Sequence, residues 1–123
     1  MTRRTSFLLF LFLNTLSFSL AFGQYANPDT GFVRERYTKH EYMIAMRDGV
    51  RLFTTVYTPK DTTVLHPIIM MRTPYSCAPY GEGNFPIHLG EQDYYYFESG
   101  YIKVVQDVRG RYMSEGTYED VRP

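Results

Sequence analysis

The stretch from Pro67 to Tyr80 constrains the fold of this chain more than any other part of the sequence. Its first half is apolar at consecutive positions from Ile68 to Met71, and so short an apolar run favours a β-strand covered on both faces, as in the centre of a parallel sheet. Pro74 and Pro79 then stop the strand, because proline lacks a backbone N–H and restricts the residue before it. The stretch therefore predicts a buried strand that delivers Tyr75 to a loop at its carboxyl end, the edge where open α/β sheets bind ligands.

A β-hairpin is predicted before this strand. Alternation from His40 to Met46 and again from Val50 to Thr58 indicates two strands, and Asp48-Gly49 lies between them. An Asp-Gly pair between two β-rich runs is the strongest short-range hairpin signal and is typical of a type I′ turn, which needs positive φ at both central positions.

A helix and a second parallel strand are predicted after the loop, beyond a turn-rich segment from Gly81 to Pro86 of the kind that lines a site. Glu91 to Ser99 has the pattern of a short helix, and Gly100 stands where a left-handed cap belongs. Tyr101 to Gln106 is apolar enough for a strand. Strand, crossover helix and strand form a βαβ unit, so the loops after both strands leave the same edge of the sheet. The expected fold class is α/β: an antiparallel β-hairpin followed by a βαβ unit, with an incomplete sheet.

The first residues are predicted to direct export. A basic start at Arg3-Arg4 precedes an apolar segment, and Ala21-Phe22-Gly23 offers small residues at the positions that a signal peptidase recognises. We expect a signal peptide at residues 1–23, an extended N-terminal arm at 24–39 and one domain at 40–123. The alternative is an uncleaved membrane anchor, and the arginine pair leaves twin-arginine export open beside the general route.

Charge and cysteine content exclude some partners. The whole chain has 13 basic and 13 acidic side chains, and cleavage at residue 23 would remove two arginines and no acid. The slightly acidic mature chain argues against nucleic acid or an anionic membrane as partner. Cys77 is the single cysteine, so an internal disulfide is excluded. We expect a secreted or periplasmic protein with no stable membrane anchor after cleavage.

Four motifs, in this order, resemble the cocaine-esterase-like branch of the α/β-hydrolases, which includes the Xaa-Pro dipeptidyl peptidases and the α-amino-acid ester hydrolases. They are Met46 to Leu52 with Tyr57-Thr58-Pro59, Arg72-Thr73-Pro74-Tyr75, Gly100-Tyr101 with the following strand, and Gln106 to Gly116. The last run is long and follows Thr-Pro-Tyr at the family's spacing. The resemblance covers residues 40–123, and the surroundings of Tyr75 are most similar to the exported α-amino-acid ester hydrolases.

The resemblance implies a serine hydrolase that cleaves acyl bonds by Ser-His-Asp acyl transfer, without a cofactor or a metal. Its substrate would be a small molecule or short peptide: an ester, an Xaa-Pro peptide, or an α-amino-acid ester or β-lactam side chain. Tyr75 matches the family tyrosine whose phenol donates a hydrogen bond to the oxyanion, a role worth about 2.7 to 4 kcal/mol of barrier.

The nucleophile does not carry over, because no Gly-x-Ser-x-Gly elbow occurs in the sequence. We therefore expect the N-terminal portion of a longer enzyme, with the nucleophile, acid and base outside this chain and no activity in isolation. The alternative is an exported non-catalytic fragment or interaction module that keeps the family's N-terminal fold.

Other candidate nucleophiles are weaker. Ser76 and Ser114 do not lie in an elbow, and a loop hydroxyl such as that of Ser114 more often satisfies a backbone group. Cys77 has no histidine in a suggestive place and is better interpreted as a small packing residue. The three histidines are too scattered to propose a metal site.

The run after the second parallel strand has two interpretations. Asp107, Arg109 and Arg111 would suit an anion site, since arginine forks match carboxylates. The favoured interpretation is structural, with Asp107 and Arg109 pairing across a tight turn at Gly110 to brace the loop that forms the pocket floor.

Overall fold

The computed structural model describes residues 31–120, so the predicted signal peptide at 1–23 lies outside the described residues. The described chain consists of helix α1 (Gly31–Arg36), strands β1 (Tyr37–Ala45), β2 (Arg51–Pro59) and β3 (Ile68–Thr73), helix α2 (Glu91–Glu98) and strand β4 (Ile102–Asp107). None of the helices in this part of the chain is long and apolar enough to cross a membrane.

The four strands form one mixed sheet in the order β1-β2-β4-β3. β1 pairs antiparallel with β2, β2 pairs antiparallel with β4, and β3 pairs parallel with β4. The predicted α/β class, with a hairpin followed by a βαβ unit, is therefore confirmed. Helix α2 ends where Gly100 was expected to cap it, and the N–H groups of Gly100 and Tyr101 donate to the carbonyls of Phe97 and Tyr96.

The hairpin turn differs from the predicted type I′ turn. The Met46 N–H donates to the Val50 carbonyl, the Gly49 N–H donates to the Met46 carbonyl, and Gly49 has φ +84° whereas Asp48 has no positive φ. This is the pattern of a three-residue loop in which a type I turn is followed by one left-handed glycine. The longer loop leaves only one residue in the left-handed region, and glycine occupies it.

The predicted extended arm at 24–39 is wrong at residues 31–36, which are helical. Residues 31–36 form helix α1, and β1 begins at Tyr37, three residues before the predicted start of the alternation at His40. The buried positions of β1 are Tyr37 and Lys39, whereas Tyr42 and Ile44 are exposed. The charge on Lys39 concealed this register in the sequence, because a lysine is almost never fully buried unless it is paired.

Two apolar clusters lie within the described residues. The larger one joins both helices to the sheet through Val33, Tyr37, Tyr57, Leu89 and Phe97. The ring of Phe97 meets the rings of Tyr37 and Tyr57 edge to face at 5.0 and 5.4 Å, and the Tyr37 hydroxyl donates to the Phe97 carbonyl at 2.8 Å. The smaller cluster contains Phe53, Cys77 and Val105, with Tyr80 packed against it. It supports the loop that follows β3.

Strand β3 is one of the two edge strands of the described sheet. Its side chains at Ile68, Met70 and Met71 are exposed, although consecutive apolar positions predicted cover on both faces. Within residues 31–120 the strand is covered only in part: Ile69 is half-buried and Thr73 is buried. Such a strand is suited to burial under a further layer of structure, because parallel strands in α/β proteins are normally covered on both faces.

Candidate functional site

The loops after β3 and β4 leave the same edge of the sheet, as the sequence predicted. Thr73 and Asp107, the last residues of the two strands, are partners in the parallel register. The Val108 N–H then donates to the Thr73 carbonyl at 3.2 Å, which ties the beginnings of the two loops together. The polar residues that the sequence singled out, among them Tyr75, Ser76 and Arg109, lie in the loops at this carboxyl edge, where α/β sheets bind ligands.

Tyr75 stands exposed at this edge, with 82% of its surface accessible. Its backbone N–H donates to the hydroxyl of the buried Thr73 at 3.0 Å, and no hydrogen bond to another described residue occupies its phenol oxygen. The backbone of Tyr75 is thus fixed to the strand end while its phenol O–H faces outward. A phenol in this position is able to donate a hydrogen bond to an incoming group.

Ser76, directly after Tyr75, has φ +88°. Non-glycine residues rarely adopt this conformation, and those that do cluster at functional sites. Tyr112, at φ +50°, is the other described non-glycine residue with positive φ, and it lies in the loop after β4. Both unusual backbone positions therefore occur in the two loops of the carboxyl edge.

A buried carboxylate lies behind these loops. Asp107 has no solvent-accessible surface, and its Oδ1 accepts the Cys77 N–H at 2.8 Å. Its Oδ2 accepts the Tyr80 hydroxyl at 3.0 Å and, more weakly, the Met113 N–H at 3.4 Å. Burial, reinforced by the Asp107 carboxylate, raises the pKa of Tyr80 to about 12, so this phenol remains a proton donor at neutral pH.

The three candidate nucleophiles are all engaged in structural contacts. The Ser76 hydroxyl accepts the Ala78 N–H at 3.0 Å and bonds the Tyr80 hydroxyl at 2.9 Å. Because the Tyr80 phenol stays protonated at neutral pH, it does not act as the base that a serine nucleophile needs. The Ser114 hydroxyl donates to the Asp107 carbonyl at 2.7 Å and accepts the Phe53 N–H at 2.9 Å. The backbone role expected for Ser114 is therefore confirmed.

Cys77 is buried between Phe53 and Val105, as its interpretation as a packing residue requires. Burial raises the pKa of its thiol to about 11, so very little thiolate is present at neutral pH. His66 and His40 lie elsewhere: the ring nitrogens of His66 contact the carbonyls of Gly100 and Asp61, and His40 faces Glu82. Among the described residues, no three His, Cys, Asp or Glu side chains lie close enough together to hold a metal ion.

Asp107 and Arg109 do not pair with each other, which corrects the bracing contact predicted from the sequence. Arg109 forms its salt bridge with Asp48 in the hairpin turn at 2.7 Å, and this bond holds the pKa of the Asp48 carboxyl below its usual range. The reason is that Asp107 is turned inward to the Cys77 N–H, whereas Arg109 lies at the surface. Each residue still braces the edge, through a different partner.

Gly110 makes a tight turn between these residues, as expected. It has φ +69°, and an added Cβ would lie 2.0 Å from the backbone nitrogen of Tyr118. Arg111 stacks its guanidinium over the rings of Tyr112 and Tyr118 and donates to the Pro74 carbonyl at 3.4 Å. The arginines of this loop are therefore occupied by internal partners, which favours the structural interpretation over an anion site.

An open cleft of about 800 Å³ lies beside this loop. Its wall includes Pro74, which immediately precedes Tyr75, together with Arg109 and residues of the loop after β4. The full lining is Asp48, Val50, Pro74, Val108, Arg109, Gly116, Thr117, Tyr118 and Glu119. The cleft has room for a small molecule or part of a short peptide.

Lys39 is a second anchor of the loop, and it was missed in the sequence. Its fully buried ammonium donates to the carbonyls of Pro79, Gly81 and Asn84, the last two at 2.8 and 3.0 Å, and forms a salt bridge with Glu41 at 2.9 Å. Glu41 also accepts the Gly81 N–H at 2.6 Å. β1 therefore holds the far end of the loop that begins at Tyr75. The sequence held one signal for this contact. Lys39 and Glu41 carry opposite charges two residues apart on a strand, and such residues lie on the same face.

The sequence matches the family model described as X-Pro dipeptidyl-peptidase (S15 family) over residues 48–123. It is also 35% identical over 80 residues to the cocaine esterase of Rhodococcus sp. (strain MB1 Bresler), an alignment that covers 62% of this chain and 12% of that enzyme. The chain therefore spans about an eighth of the length of this curated relative.

Two solved structures share the fold of the described residues. An α-amino acid ester hydrolase, in its selenomethionine-labelled form, aligns with a TM-score of 0.58 at 44% identity over 68% of this chain and 14% of its own. An aminopeptidase from the marine sediment archaeon Thaumarchaeota archaeon aligns with a TM-score of 0.59 at 34% identity, over 81% of this chain and 17% of its own. Both likenesses confirm the α/β-hydrolase type that the motifs indicated.

Proposed function

The chain belongs to the X-Pro dipeptidyl-peptidase (S15) family of serine hydrolases, and from this premise we propose that it forms one wall of an acyl-transfer site. In this site Tyr75 donates a hydrogen bond to the oxyanion. One observation carries the proposal: Tyr75 is 82% exposed at the carboxyl edge while its backbone is fixed by Thr73.

The chemistry needs a donor of this kind. When a nucleophile attacks an acyl carbon, the carbonyl oxygen gains negative charge, and a donor already held in place stabilises that charge without reorganisation. A phenol O–H is neutral, so it favours the developing charge without binding the ground-state carbonyl as strongly as a cation would. The serine nucleophile, the acid and the histidine base would then come from residues of the enzyme other than those of this chain.

The substrate class is proposed at the level of an acyl bond. Cocaine esterase, an α-amino acid ester hydrolase and an aminopeptidase are among the relatives, so an ester, an α-amino-acid ester and a peptide bond are the three candidates. The open cleft next to Pro74 would receive part of such a substrate. Export by the N-terminal segment, predicted from the sequence, is part of the same proposal.

Hydrolysis assays test the proposal. The protein produced from the native gene is incubated with a p-nitrophenyl ester, an α-amino-acid methyl ester and Ala-Pro-p-nitroanilide. We expect turnover of at least one substrate, and a large loss of that turnover in Tyr75→Phe. The 123-residue chain alone is expected to be inactive because it contains no nucleophile elbow. Absence of turnover by the native protein, or full turnover in Tyr75→Phe, would refute the proposal.

A further inference from the structure

The turn that presents Tyr75 has an unfavourable backbone conformation. Ser76 has φ +88°, where the Cβ of an L-residue is crowded, so the turn needs other contacts to hold it. If those contacts were lost, Ser76 would relax toward negative φ. Because Ser76 is the next residue in the chain, that relaxation would redirect the phenol of Tyr75.

One buried carboxylate supplies two of the contacts that hold this turn, beside the bond from the Ala78 N–H to the Ser76 hydroxyl. Oδ1 of Asp107 accepts the N–H of Cys77, which fixes the residue after Ser76. Oδ2 accepts the hydroxyl of Tyr80, and that hydroxyl also bonds the Ser76 hydroxyl at 2.9 Å. The backbone after the strained residue and its side chain are thus both connected to one buried group.

Asp107 is well placed for this role because it belongs to a different strand. It ends β4, directly beside Thr73 at the end of β3, and it has no accessible surface. A buried carboxylate is held in place by its hydrogen bonds, and a change in its charge or shape weakens the bonds from every donor around it. The sheet therefore helps to set the position of the turn, through a residue that does not belong to the loop.

We infer that Asp107 is a positioning residue for the proposed oxyanion donor: it holds the Ser76 turn and thereby aims the phenol of Tyr75. This inference rests on the proposed function. Asp107 itself does not touch substrate, because its two oxygens face Cys77, Tyr80 and Met113. In this inference its effect on the reaction passes through Tyr75.

The kinetic test uses Asp107→Asn in the protein from the native gene. Asparagine keeps the shape and the oxygen that accepts the Cys77 N–H, but its amide nitrogen cannot accept the Tyr80 hydroxyl. We expect kcat to fall about tenfold with KM within about twofold, and no further fall when Asp107→Asn is added to Tyr75→Phe. Asp61→Asn, an exposed carboxylate in the connection between β2 and β3, is the matched control and should leave kcat unchanged.

Hydrogen exchange provides a readout that does not depend on turnover. Peptides covering residues 74–80 should exchange about tenfold faster in Asp107→Asn, while peptides from β1 and β2 keep the exchange rates of the unmodified protein. Unchanged exchange at 74–80 would overturn the inference and leave the role of Tyr75 standing. So would an Asp107→Asn substitution that lowers kcat equally in the unmodified protein and in the Tyr75→Phe variant. Full turnover in Tyr75→Phe would instead overturn the proposed function, and the inference with it.

Discussion

The carboxylate of Asp107 accepts a hydrogen bond from the backbone N–H of Cys77 at 2.8 Å, across 30 residues of chain. This bond joins the end of one parallel strand to the loop that leaves the other. The same loop is held at its far end by Lys39 on β1. The segment from Tyr75 to Asn84 is therefore anchored by a buried anion at one end and a buried cation at the other, which makes it a rigid support for an exposed phenol.

Removing the phenol oxygen of Tyr75 should slow turnover with little effect on binding. Loss of one oxyanion donor typically lowers kcat by about 10² to 10³, and the ground-state carbonyl loses much less. We therefore expect Tyr75→Phe to reduce kcat by about two orders of magnitude at nearly constant KM. Tyr95→Phe, an exposed tyrosine on α2, is the control and should retain full activity. A change confined to KM would contradict the oxyanion role.

Replacing the buried ammonium of Lys39 should destabilise the protein strongly. Lys39→Met leaves Glu41 without its salt-bridge partner and removes the donor shared by three carbonyls, and breaking a buried pair in this way costs about 3 to 5 kcal/mol. The midpoint of urea unfolding measures the loss. Lys60→Met is the matched control: its exposed ammonium caps the carbonyls of Arg34 and Glu35, a contact worth about 0.3 to 1 kcal/mol. Equal midpoints for the two variants would show that Lys39 does not anchor the loop.

A methyl group at Gly110 should disrupt the turn after β4. Its Cβ would lie 2.0 Å from one backbone atom and 2.4 Å from another, and φ is positive, so the backbone must shift. We expect Gly110→Ala to lower the free energy of unfolding by about 2 to 4 kcal/mol. At Gly83 the same methyl group meets open space, so Gly83→Ala should change stability by no more than about 0.5 kcal/mol. A stable Gly110→Ala variant would show that the turn is built differently.

The thiol of Cys77 should react slowly in the folded protein. Because burial raises its pKa to about 11, its thiolate fraction at pH 8 is lower by roughly two orders of magnitude than that of a free thiol with a pKa of about 8.5. The rate with a disulfide reagent should rise as the pH approaches 11 and should reach the ordinary value once guanidinium chloride unfolds the chain. Rapid labelling of the native protein at pH 8 would argue for an exposed, activated thiol.

Much of the fold was predictable from local patterns. The helix at 91–98, its cap at Gly100 and the strands on either side follow from short-range preferences, which act within a few residues. The N-terminal end of β1 was missed because its inward positions include the charged Lys39. A polar side chain at a buried position breaks the apolar alternation on which such predictions depend.

The sequence by itself determined the order of the four strands and of helix α2, the family motifs and the position of Tyr75 at the end of a parallel strand, but not helix α1. Only the tertiary structure decided the partners of the charged residues: Asp107 with Cys77 and Tyr80, Arg109 with Asp48, and Lys39 with the loop carbonyls. The physical reason is the distance along the chain over which each kind of interaction acts. Periodicity and turn chemistry are local, whereas a buried charge needs several donors or acceptors at once, and the strand pairing brings these together from distant parts of the chain.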